Sequence, residues 1–549
     1  MSEAAPADPE QFDLIVIGAG INGAGIARDA ALRGLRVLLV DKGDVGSGTT
    51  SWSSRLIHGG LRYLEHREFG LVRESLQERE RLLGIAPHLV QPLPLLIPIY
   101  AGDSRGPWLI RAGMLAYDTL SFGKSLPRHR MVSPAEARRR DAGIAEPGLL
   151  GAALYYDGQV EFPERLALEN ALDAREHGAE VLTYHQVDRI VRDGDRVRGI
   201  EGRDLLSGEP FQAFAPVIFN VAGPWVDRVL AEAGARTSPL IGGTKGTHIV
   251  VQPFAGAPRD AIYVEAKSDG RPFFIIPWND LYLIGTTDTR FTGNLDRVEA
   301  TDEEIDWLLR ETNRVIPDGA LTRADICYSY AGVRPLPATS SGREGAITRK
   351  HLVVPHVEKG GPSGLYSVVG GKLTTYRELA EQAVDIAMAA MQRPRVPSRT
   401  ATAPLPGAPA TESWQRFRQE FLRDSGLGVK SSEHLLRVYG TKAAQILARA
   451  GTLELREVVD PWTGAIAAEA PWAFDIEGAR TLADVIARRT MIGLGPDVGI
   501  GPDRVLADIL QATSGWSAER VTAEVASYRT WVSRYRPRAL APESTGARP

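Results

Sequence analysis

The sequence predicts an α/β protein with three parts: a mostly parallel sheet flanked by helices, an antiparallel sheet, and an all-α C-terminal domain. Three observations predict this architecture. Residues 12–41 follow a strand, glycine turn, helix and strand pattern, residues 240–325 carry repeated short apolar runs, and residues 411–536 alternate helical patterns with short loops. A chain of 549 residues is too long for one hydrophobic core, so we expect two or three domains.

The N-terminal segment reads as a complete βαβ unit that is typical of dinucleotide binding. Gly18 allows a tight turn, Gly20 lets the backbone approach a pyrophosphate, and Gly23 permits close packing of the helix against the strand. The second strand ends at Asp41, whose carboxylate would accept a hydrogen bond from a ribose hydroxyl and disfavours a 2′-phosphate. The unit therefore predicts FAD or NAD rather than NADP.

The composition excludes several classes of protein. A net charge of −4 gives no general attraction to nucleic acid. The single cysteine, Cys327, excludes an intramolecular disulfide and a cysteine-based metal cluster, and we predict no metal site. We find neither a secretory signal nor an apolar run long enough to cross a membrane. We therefore expect a cytoplasmic protein whose membrane contact is peripheral.

The loop of residues 46–55 follows the second strand and is rich in glycine and hydroxyl residues. Its position suits contacts with a pyrophosphate, and we assign Thr49, Thr50, Ser51 and Ser54 to the cofactor. A helix predicted from about residue 69 to residue 83 alternates acids with arginines, and we interpret its charged face as solvated.

Residues 93–160 read as a helical or irregular insertion with one amphipathic stretch, Trp108 to Phe122, and several nearby basic residues such as Arg105 and Arg130. A basic amphipathic helix with interfacial aromatic residues can lie on an anionic membrane. The alternative is a helix that covers the core of its own domain.

The other segments complete the predicted organisation. Residues 1–92, 161–240 and 326–392 form three parts of the nucleotide-binding domain, since each contains an apolar strand that leads to a glycine turn. Residues 241–325 form the antiparallel, substrate-side domain. Residues 393–410, with five prolines, form a linker to the helical domain of residues 411–536, and residues 537–549 form a disordered tail.

A second glycine turn, Gly370-Gly371, lies where a strand meets a helix, while no second G-x-G-x-x-G follows a strand. Two distant turns of this kind suit a long cofactor, so we expect FAD rather than NAD. Four cationic residues lie close to glycine turns. Because guanidinium groups match the oxygens of carboxylate or phosphate groups, these residues predict an anion pocket. These cations are Arg62, Arg334, Arg349 and Lys372.

Five runs resemble the family of FAD-dependent glycerol-3-phosphate dehydrogenases: residues 15–25, 56–65, 285–288, 330–336 and 370–377. The most specific are His-Gly-Gly-Leu-Arg-Tyr at 58–63 and Gly-Gly-Lys-Leu-Thr-Thr-Tyr at 370–376. The resemblance extends to about residue 392 and is looser in the helical tail, where residues 488–490 are Arg-Arg-Thr. Trp52 and Arg55 depart from the pattern, since a small residue and a lysine usually stand there.

The resemblance implies a D-amino-acid-oxidase-like fold, FAD as cofactor, oxidation of sn-glycerol 3-phosphate to dihydroxyacetone phosphate, and electron transfer to membrane quinone. By position, the residues implied for substrate binding are Arg62, Tyr63, Arg334, Arg349 and Lys372. Those implied for FAD, besides the glycines, Asp41 and the hydroxyl loop above, are His58, Gly59, Gly60, Val187, Gly223, Gly332, Gly371, Lys372, Leu373 and Thr374.

The expected reaction needs a base for the C2 hydroxyl proton. We predict His58 for this role, with His248 as the rival, because an imidazole titrates near neutral pH. Arg334 and Lys372 are the other predicted catalytic residues. Two other functions stay open: an oxidase of the same substrate that uses oxygen, and a flavin-binding protein without turnover. A homodimer through the helical tail is a further expectation.

Overall fold

The computed structural model describes residues 11–65, 67–121, 123–232, 238–338, 349–409, 413–451 and 454–541. The strands in these ranges are β1 Leu14–Ile17, β2 Val37–Val40, β3 Leu56–Ile57, β4 Val90–Tyr100, β5 Arg130–Val132, β6 Leu149–Val160, β7 Glu180–Leu182, β8 His185–Asp193, β9 Arg196–Asp204, β10 Pro210–Phe214, β11 Val217–Asn220, β12 Thr244–Val251, β13 Ala261–Glu265, β14 Pro272–Trp278, β15 Leu281–Gly285, β16 Thr289–Arg290, β17 Ile326–Arg334, β18 Leu352–Pro355, β19 Leu365–Val369, β20 Val458–Asp460 and β21 Ala465–Ile466. The α-helices are α1 Ile21–Leu32, α2 Arg62–Glu65, α3 Phe69–Ile85, α4 Pro107–Leu120, α5 Pro134–Arg140, α6 Pro163–Glu176, α7 Val226–Glu232, α8 Asp302–Val315, α9 Tyr376–Ala390, α10 Trp414–Asp424, α11 Val429–Tyr439, α12 Ala443–Arg449, α13 Glu469–Asp475, α14 Leu482–Asp484, α15 Pro502–Ser514 and α16 Ala518–Val532.

The βαβ unit predicted from the sequence is confirmed and forms the centre of a six-stranded sheet in the order β18-β19-β11-β1-β2-β7. Strand β1 runs parallel to both β2 and β11. Alternate residues of a strand point to opposite faces. Leu14 and Val16 accordingly pack against α1, α6 and α9, whereas Ile15 and Ile17 pack against the three-stranded sheet β8 to β10.

The second sheet contains ten strands within the described ranges, and its β12, β14 and β15 pair antiparallel as the sequence predicts for this region. Helix α8 covers one face of this sheet and shares a core with it that includes Ile249, Ile284 and Leu308. A capping box begins α8, because Thr301 accepts from the backbone of Glu304 while the Glu304 carboxylate accepts from the backbone of Thr301.

The prediction that residues 93–160 are helical or irregular is wrong at both ends of that segment. Strands β4 and β6 pair antiparallel along their whole length, from Val90 opposite Val160 to Tyr100 opposite Leu149. The prolines of β4 at positions 92, 94 and 98 disguised the strand. These three positions are separated by even numbers of residues, so their backbone nitrogens face the same edge of β4. Proline has no N–H group to donate there. On that edge the neighbouring strand β13 pairs with β4 only at Leu95 and Leu96.

Helix α3 has the predicted position, but its charged residues are not all solvated. Glu78 and Arg79 are fully buried. The carboxylate of Glu78 accepts two hydrogen bonds from Arg377 at 2.7 and 2.9 Å, and Arg79 donates to Asp157 at 2.6 Å. Both partners lie far away in the sequence, so the periodicity of α3 alone gave no sign of them.

The C-terminal domain is all-α apart from the short strands β20 and β21, as predicted. The described part of the predicted linker, residues 393–409, packs against α1, because Arg28 donates to two linker carbonyls and Leu405 is buried. Residues 538–540 form a 3-10 turn in which Arg538 donates to Ala324, so the predicted disorder of residues 537–549 is wrong at this point. Residues 542–549 lie outside the described residues.

Two buried arginines join the C-terminal domain to the loop after β2. Arg488 and Arg489 donate to the carboxylate of Asp44 at 2.7, 2.7 and 2.9 Å, and all three side chains are buried. Burial alone would raise the pKa of Asp44, but Arg489 and Arg488 hold it at about 2. Asp44 is therefore ionised at neutral pH and neutralises part of the arginine charge.

We expect Asp44→Asn to destabilise the protein by about 3–5 kcal/mol, because it leaves two buried guanidinium groups without that counter-charge. Thermal or urea unfolding measures the effect. The control is Asp508→Asn, which removes an exposed partner of Arg504 on α15 and should change stability by less than about 1 kcal/mol. Equal small losses in the two variants would contradict a role for Asp44 in holding the domains together.

Candidate cofactor cavity and adjoining basic cluster

A cavity of about 610 Å³ lies at the carboxyl ends of β1, β2 and β11. This edge of a parallel sheet is where ligands bind in α/β proteins. The loops after these strands, the ends of β17 and β19, and the C-terminal domain all contribute to its wall. The predicted cofactor residues that line it are Gly18, Gly20, Asp41, Thr49, Thr50, Val187, Gly223, Gly332, Gly371, Lys372 and Leu373.

The first glycine turn leaves no room for side chains. A Cβ atom on Gly18, which has φ +109°, would lie 2.7 Å from the carbonyl oxygen of Val221. A Cβ atom on Gly23 would lie 1.8 Å from the carbonyl oxygen of Gly18, so Gly23 supports the turn from behind and does not line the cavity. Thr50 accepts from the N–H of Ile21 at 3.0 Å and fixes the beginning of α1.

Asp41 lies on the cavity wall with its carboxylate already oriented. It accepts from the N–H of Ala19 at 2.6 Å and from the N–H of Gly43 at 2.7 Å. Burial raises the pKa of this carboxyl group, and the two backbone donors oppose that effect. The remaining oxygen lone pairs are available to a hydroxyl group of a ligand.

Asn22 indicates that the cavity fits a polar ligand. It lines the cavity, and its Oδ1 is buried and has no hydrogen-bond partner in the part of the chain that the structure describes. Its amide faces the second glycine turn, since a Cβ atom on Gly371, at φ +94°, would lie 3.0 Å from Nδ2 of Asn22. A buried polar atom of this kind needs a partner, and a bound dinucleotide between the two turns could supply one.

The hydroxyl loop divides into residues that line the cavity and residues that hold the loop in place. Thr49 and Thr50 line it, whereas Ser51 donates to the carbonyl of Gly46 and Ser54 hydrogen-bonds with His248 at 2.9 Å. Arg55 is fully buried and forms a bidentate pair with Glu164 at 2.9 Å for each bond. The arginine that departs from the family pattern therefore attaches the loop to α6.

A basic cluster lies next to the cavity. Arg334 and Arg349 share the carboxylate of Asp288, at 3.1 and 3.6 Å, and Arg334 also donates to the hydroxyl of Thr286. Arg349 is close enough to Lys372 to help lower the pKa of its amine. The structure thus brings together three of the four cations predicted from the sequence. The side chain of the fourth, Arg62 at the start of α2, lies outside the described part of the structure.

Lys372 connects the cluster with the cavity. Its Nζ donates to Ser75 at 2.7 Å and lies 4.1 Å from the ring centre of Tyr63. Burial lowers the pKa of this amine to about 7, although Glu74 and Glu68 oppose the shift. Burial thus favours the neutral amine of Lys372, which is the form that can accept a proton.

The remaining predicted residues lie around these groups without lining the cavity. The N–H of His58 donates to Thr374 at 3.1 Å, which ties the His58-Gly59-Gly60 turn to the second glycine turn. Gly59 donates to the hydroxyl of Tyr117, and Gly60 has φ +75°. The rival histidine, His248, is buried, and burial and Arg334 keep its pKa well below the ordinary value.

The C-terminal domain supplies wall residues that sequence reasoning missed. They include Arg488, Trp531, Arg534 and Tyr535. The ring centre of Tyr535 lies 4.9 Å from that of Trp52, so the two domains meet at the cavity. Of these, the sequence had singled out only Arg488, as part of the Arg-Arg-Thr run in the family resemblance. Among the described residues, no cluster of three or more His, Cys, Asp or Glu side chains could hold a metal ion.

Comparisons with known proteins agree with this architecture. The model of a family described as FAD dependent oxidoreductase matches residues 13–377, and that of the C-terminal domain of alpha-glycerophosphate oxidase matches residues 398–521. The chain is 47% identical over 535 residues to a glycerol-3-phosphate dehydrogenase of Synechocystis sp., with 95% of this chain and 96% of that protein covered. It is 39% identical over 530 residues to one of Mycobacterium leprae, with 95% and 88% covered.

A solved structure is similar over nearly the whole chain. It is that of glycerol-3-phosphate dehydrogenase from Bacillus halodurans complexed with FAD, with a TM-score of 0.78 and 28% identity. The match covers 97% of this chain and 96% of that chain. The likeness therefore includes both the part with the cavity and the C-terminal domain.

We expect Gly23→Ala to weaken FAD binding by about 5- to 150-fold, because overpacking of the turn by the added methyl group costs about 1–3 kcal/mol. The flavin absorbance of the purified protein and titration of the apoprotein with FAD measure this. The control is Gly113→Ala on α4, where a Cβ atom meets nothing within 4 Å. Unchanged FAD content in Gly23→Ala would show that the cofactor does not depend on this turn.

Proposed function

The chain belongs to the family of FAD-dependent oxidoreductases, and we propose that it oxidises sn-glycerol 3-phosphate to dihydroxyacetone phosphate and passes the electrons to a membrane quinone. One observation carries the proposal: Arg334, Arg349 and Lys372 form a basic cluster beside the cofactor cavity. The names of the relatives in Synechocystis and Mycobacterium leprae support the substrate.

The basic cluster suits a phosphorylated substrate. The guanidinium groups of Arg334 and Arg349 share the carboxylate of Asp288. Guanidinium groups bind phosphate oxygens bidentately, and this preference favours a phosphate ester over a neutral polyol. Arg62 and Tyr63 complete the proposed substrate contacts, with Tyr63 packed beneath the amine of Lys372.

FAD, when bound, supplies the capacity to accept two electrons and the proton of the C2–H bond from the substrate. The residues of this chain would hold the phosphate group, orient the C2 hydroxyl and take its proton. Lys372 can take it, because its pKa is about 7 and it lies at the cavity. We keep His58, Arg334 and Lys372 as the proposed catalytic residues. His248 fits the role of base less well, since its Nε2 is hydrogen-bonded to Ser54 and its pKa is low.

Helix α4 supports membrane contact, although not in the way that the sequence suggested. Its Met114 and Tyr117 are buried, so it does cover its own domain. On its other face Trp108, Leu109 and Leu115 are 80%, 60% and 54% exposed. Beside it lies a mostly apolar cavity of about 280 Å³, suited to a lipid-soluble acceptor.

Three of the basic residues around α4 are paired with carboxylates. Arg105 pairs with Glu265, Lys124 with Asp118 and Arg130 with Glu136. We therefore propose that apolar contact dominates at the inner face of the cell membrane. No helix in the described ranges is long and apolar enough to cross a bilayer.

Two alternatives remain to be tested. An oxidase would share the cofactor cavity and the basic cluster but would pass electrons to oxygen, and a flavin-binding protein without turnover would keep the cofactor alone. The names of the relatives favour the dehydrogenase over both. A homodimer through the C-terminal domain also stays a prediction.

Anaerobic mixing with sn-glycerol 3-phosphate should bleach the flavin absorbance of the wild-type protein. Arg334→Met should raise the substrate concentration for half-maximal bleaching by about 10- to 100-fold, through the loss of charge-assisted hydrogen bonds worth about 1.5–3 kcal/mol. The control is Arg297→Met, which removes an exposed arginine that pairs with nearby Glu299. A wild-type flavin that stays oxidised would rule out this substrate, and rapid peroxide formation in air would favour the oxidase.

The triple variant Trp108→Ser, Leu109→Ser and Leu115→Ser should bind vesicles that contain phosphatidylglycerol at least about 10-fold more weakly than the wild type, since less apolar area enters the interface. Sedimentation with vesicles measures the bound fraction. Val429→Ser with Val505→Ser, two exposed positions of the C-terminal domain, is the control. A wild-type protein that stays in the supernatant at low salt would exclude membrane contact through α4.

A further inference from the structure

Two titratable side chains, the half-buried Glu74 and the buried His351, lie close to Lys372 but outside the proposed substrate contacts. Glu74 is on α3, and His351 directly precedes β18. Oε1 of Glu74 and Nδ1 of His351 face each other at 4.0 Å. Both atoms are buried, and neither has a hydrogen-bond partner in the part of the chain that the structure describes.

The neighbours of His351 define which of its ring nitrogens carries hydrogen. Gln382 donates through Nε2 to the carboxylate of Glu378 at 3.3 Å, so its Oε1 must face His351. That Oε1 lies 2.8 Å from Nε2 of His351 and accepts from it. In the neutral ring Nδ1 then carries a lone pair. Two acceptor atoms thus face each other, and one added proton would join them in a hydrogen bond.

The surroundings of the pair favour a single shared proton. Burial raises the pKa of Glu74, against the effects of Lys372 and Lys350, while Glu78 adds to the rise. Burial lowers the pKa of His351, against its hydrogen bond with Gln382 and the charge of Glu378, while Lys350 and Lys372 add to the fall. The two pKa values therefore move toward each other.

Lys372 lines the cavity and interacts electrostatically with Glu74 of this pair. Its amine donates to Ser75, the residue after Glu74 on α3. Among charged groups, Glu74 has the largest effect on the pKa of Lys372. On the far side of the pair, Gln382 is exposed, so His351 is one side chain away from water.

We propose that Glu74 and His351 act together as the proton acceptor for Lys372 and take the proton from its amine while the substrate is being oxidised. The inference rests on the proposed function. Oxidation of a secondary alcohol to a ketone releases two electrons and two protons: FAD has the capacity to accept both electrons together with the proton of the C2–H bond, and the hydroxyl proton is left over. That proton passes from the hydroxyl to the neutral amine, then to the Glu74–His351 pair, and finally to water.

The test compares Glu74→Gln and His351→Phe with the wild-type holoenzyme in anaerobic stopped-flow measurements over a range of pH. At saturating sn-glycerol 3-phosphate, each variant should reduce its flavin at least about 10-fold more slowly at neutral pH, with a half-saturating concentration changed by less than about 2-fold. Raising the pH should restore much of the rate, because hydroxide and buffer replace the missing acceptor. Glu74→Asp, which keeps the carboxylate, should recover part of the loss.

A second readout does not depend on turnover. The NMR spectrum of holoenzyme labelled with 15N-histidine is recorded without substrate. The signal that is missing from the His351→Phe variant belongs to His351. In the Glu74→Gln variant, this signal should change its dependence on pH. His356→Gln is the matched control, since His356 is equally buried but bonds to Ser367 away from Lys372. It should leave both the flavin reduction and the His351 signal unchanged. FAD content and thermal unfolding establish that each variant is folded.

The outcomes separate this inference from the proposed function. If sn-glycerol 3-phosphate fails to reduce the wild-type flavin, the proposed function is wrong, and the histidine signal still decides whether the pair shares a proton. If the wild type is reduced but Glu74→Gln and His351→Phe match it at every pH, the pair does not accept the proton. An unchanged His351 signal in Glu74→Gln would overturn the shared proton itself.

Discussion

A buried charge needs an opposite charge, and this requirement joins the parts of the chain that enclose the cavity. Asp44 binds Arg488 and Arg489, and Arg55 binds Glu164. The first set attaches the C-terminal domain to the loop after β2, and the second attaches the hydroxyl loop to α6. Removal of one partner from such a set costs several kcal/mol. The cavity therefore keeps its shape only while the domains stay in contact.

Features set by neighbouring residues were predictable from the sequence. The βαβ unit was predicted correctly because its strands, glycines and terminal acid follow one another within 30 residues. Strand β4 was missed, because its prolines read as a break although they occupy one edge of the strand. The buried charges of α3 were missed for a different reason: Glu78 pairs with Arg377, 299 positions away.

The candidate site shows the same division. The glycine turns and Thr50 were recognisable from local pattern, and Arg334, Arg349 and Lys372 were found as cations beside glycines. Their arrangement was not, since Asp288 connects two of them only in three dimensions. Trp531 and Arg534 could not be predicted, because the helical tail read as a separate domain and the approach of its side chains to the cavity depends on tertiary packing. The opposed atoms of Glu74 and His351 depend on tertiary structure in the same way.

We conclude that one cavity, built jointly by the N-terminal sheet and the C-terminal domain, holds FAD. The decisive experiment is a crystal structure of the protein with FAD bound. The cofactor should lie between the two glycine turns, with its ribose at Asp41, contacts to Asn22 and Gly371, and side chains of the C-terminal domain such as Trp531 within contact distance. A cofactor bound outside this cavity, or a C-terminal domain detached from it, would show that the two parts do not form the FAD site together.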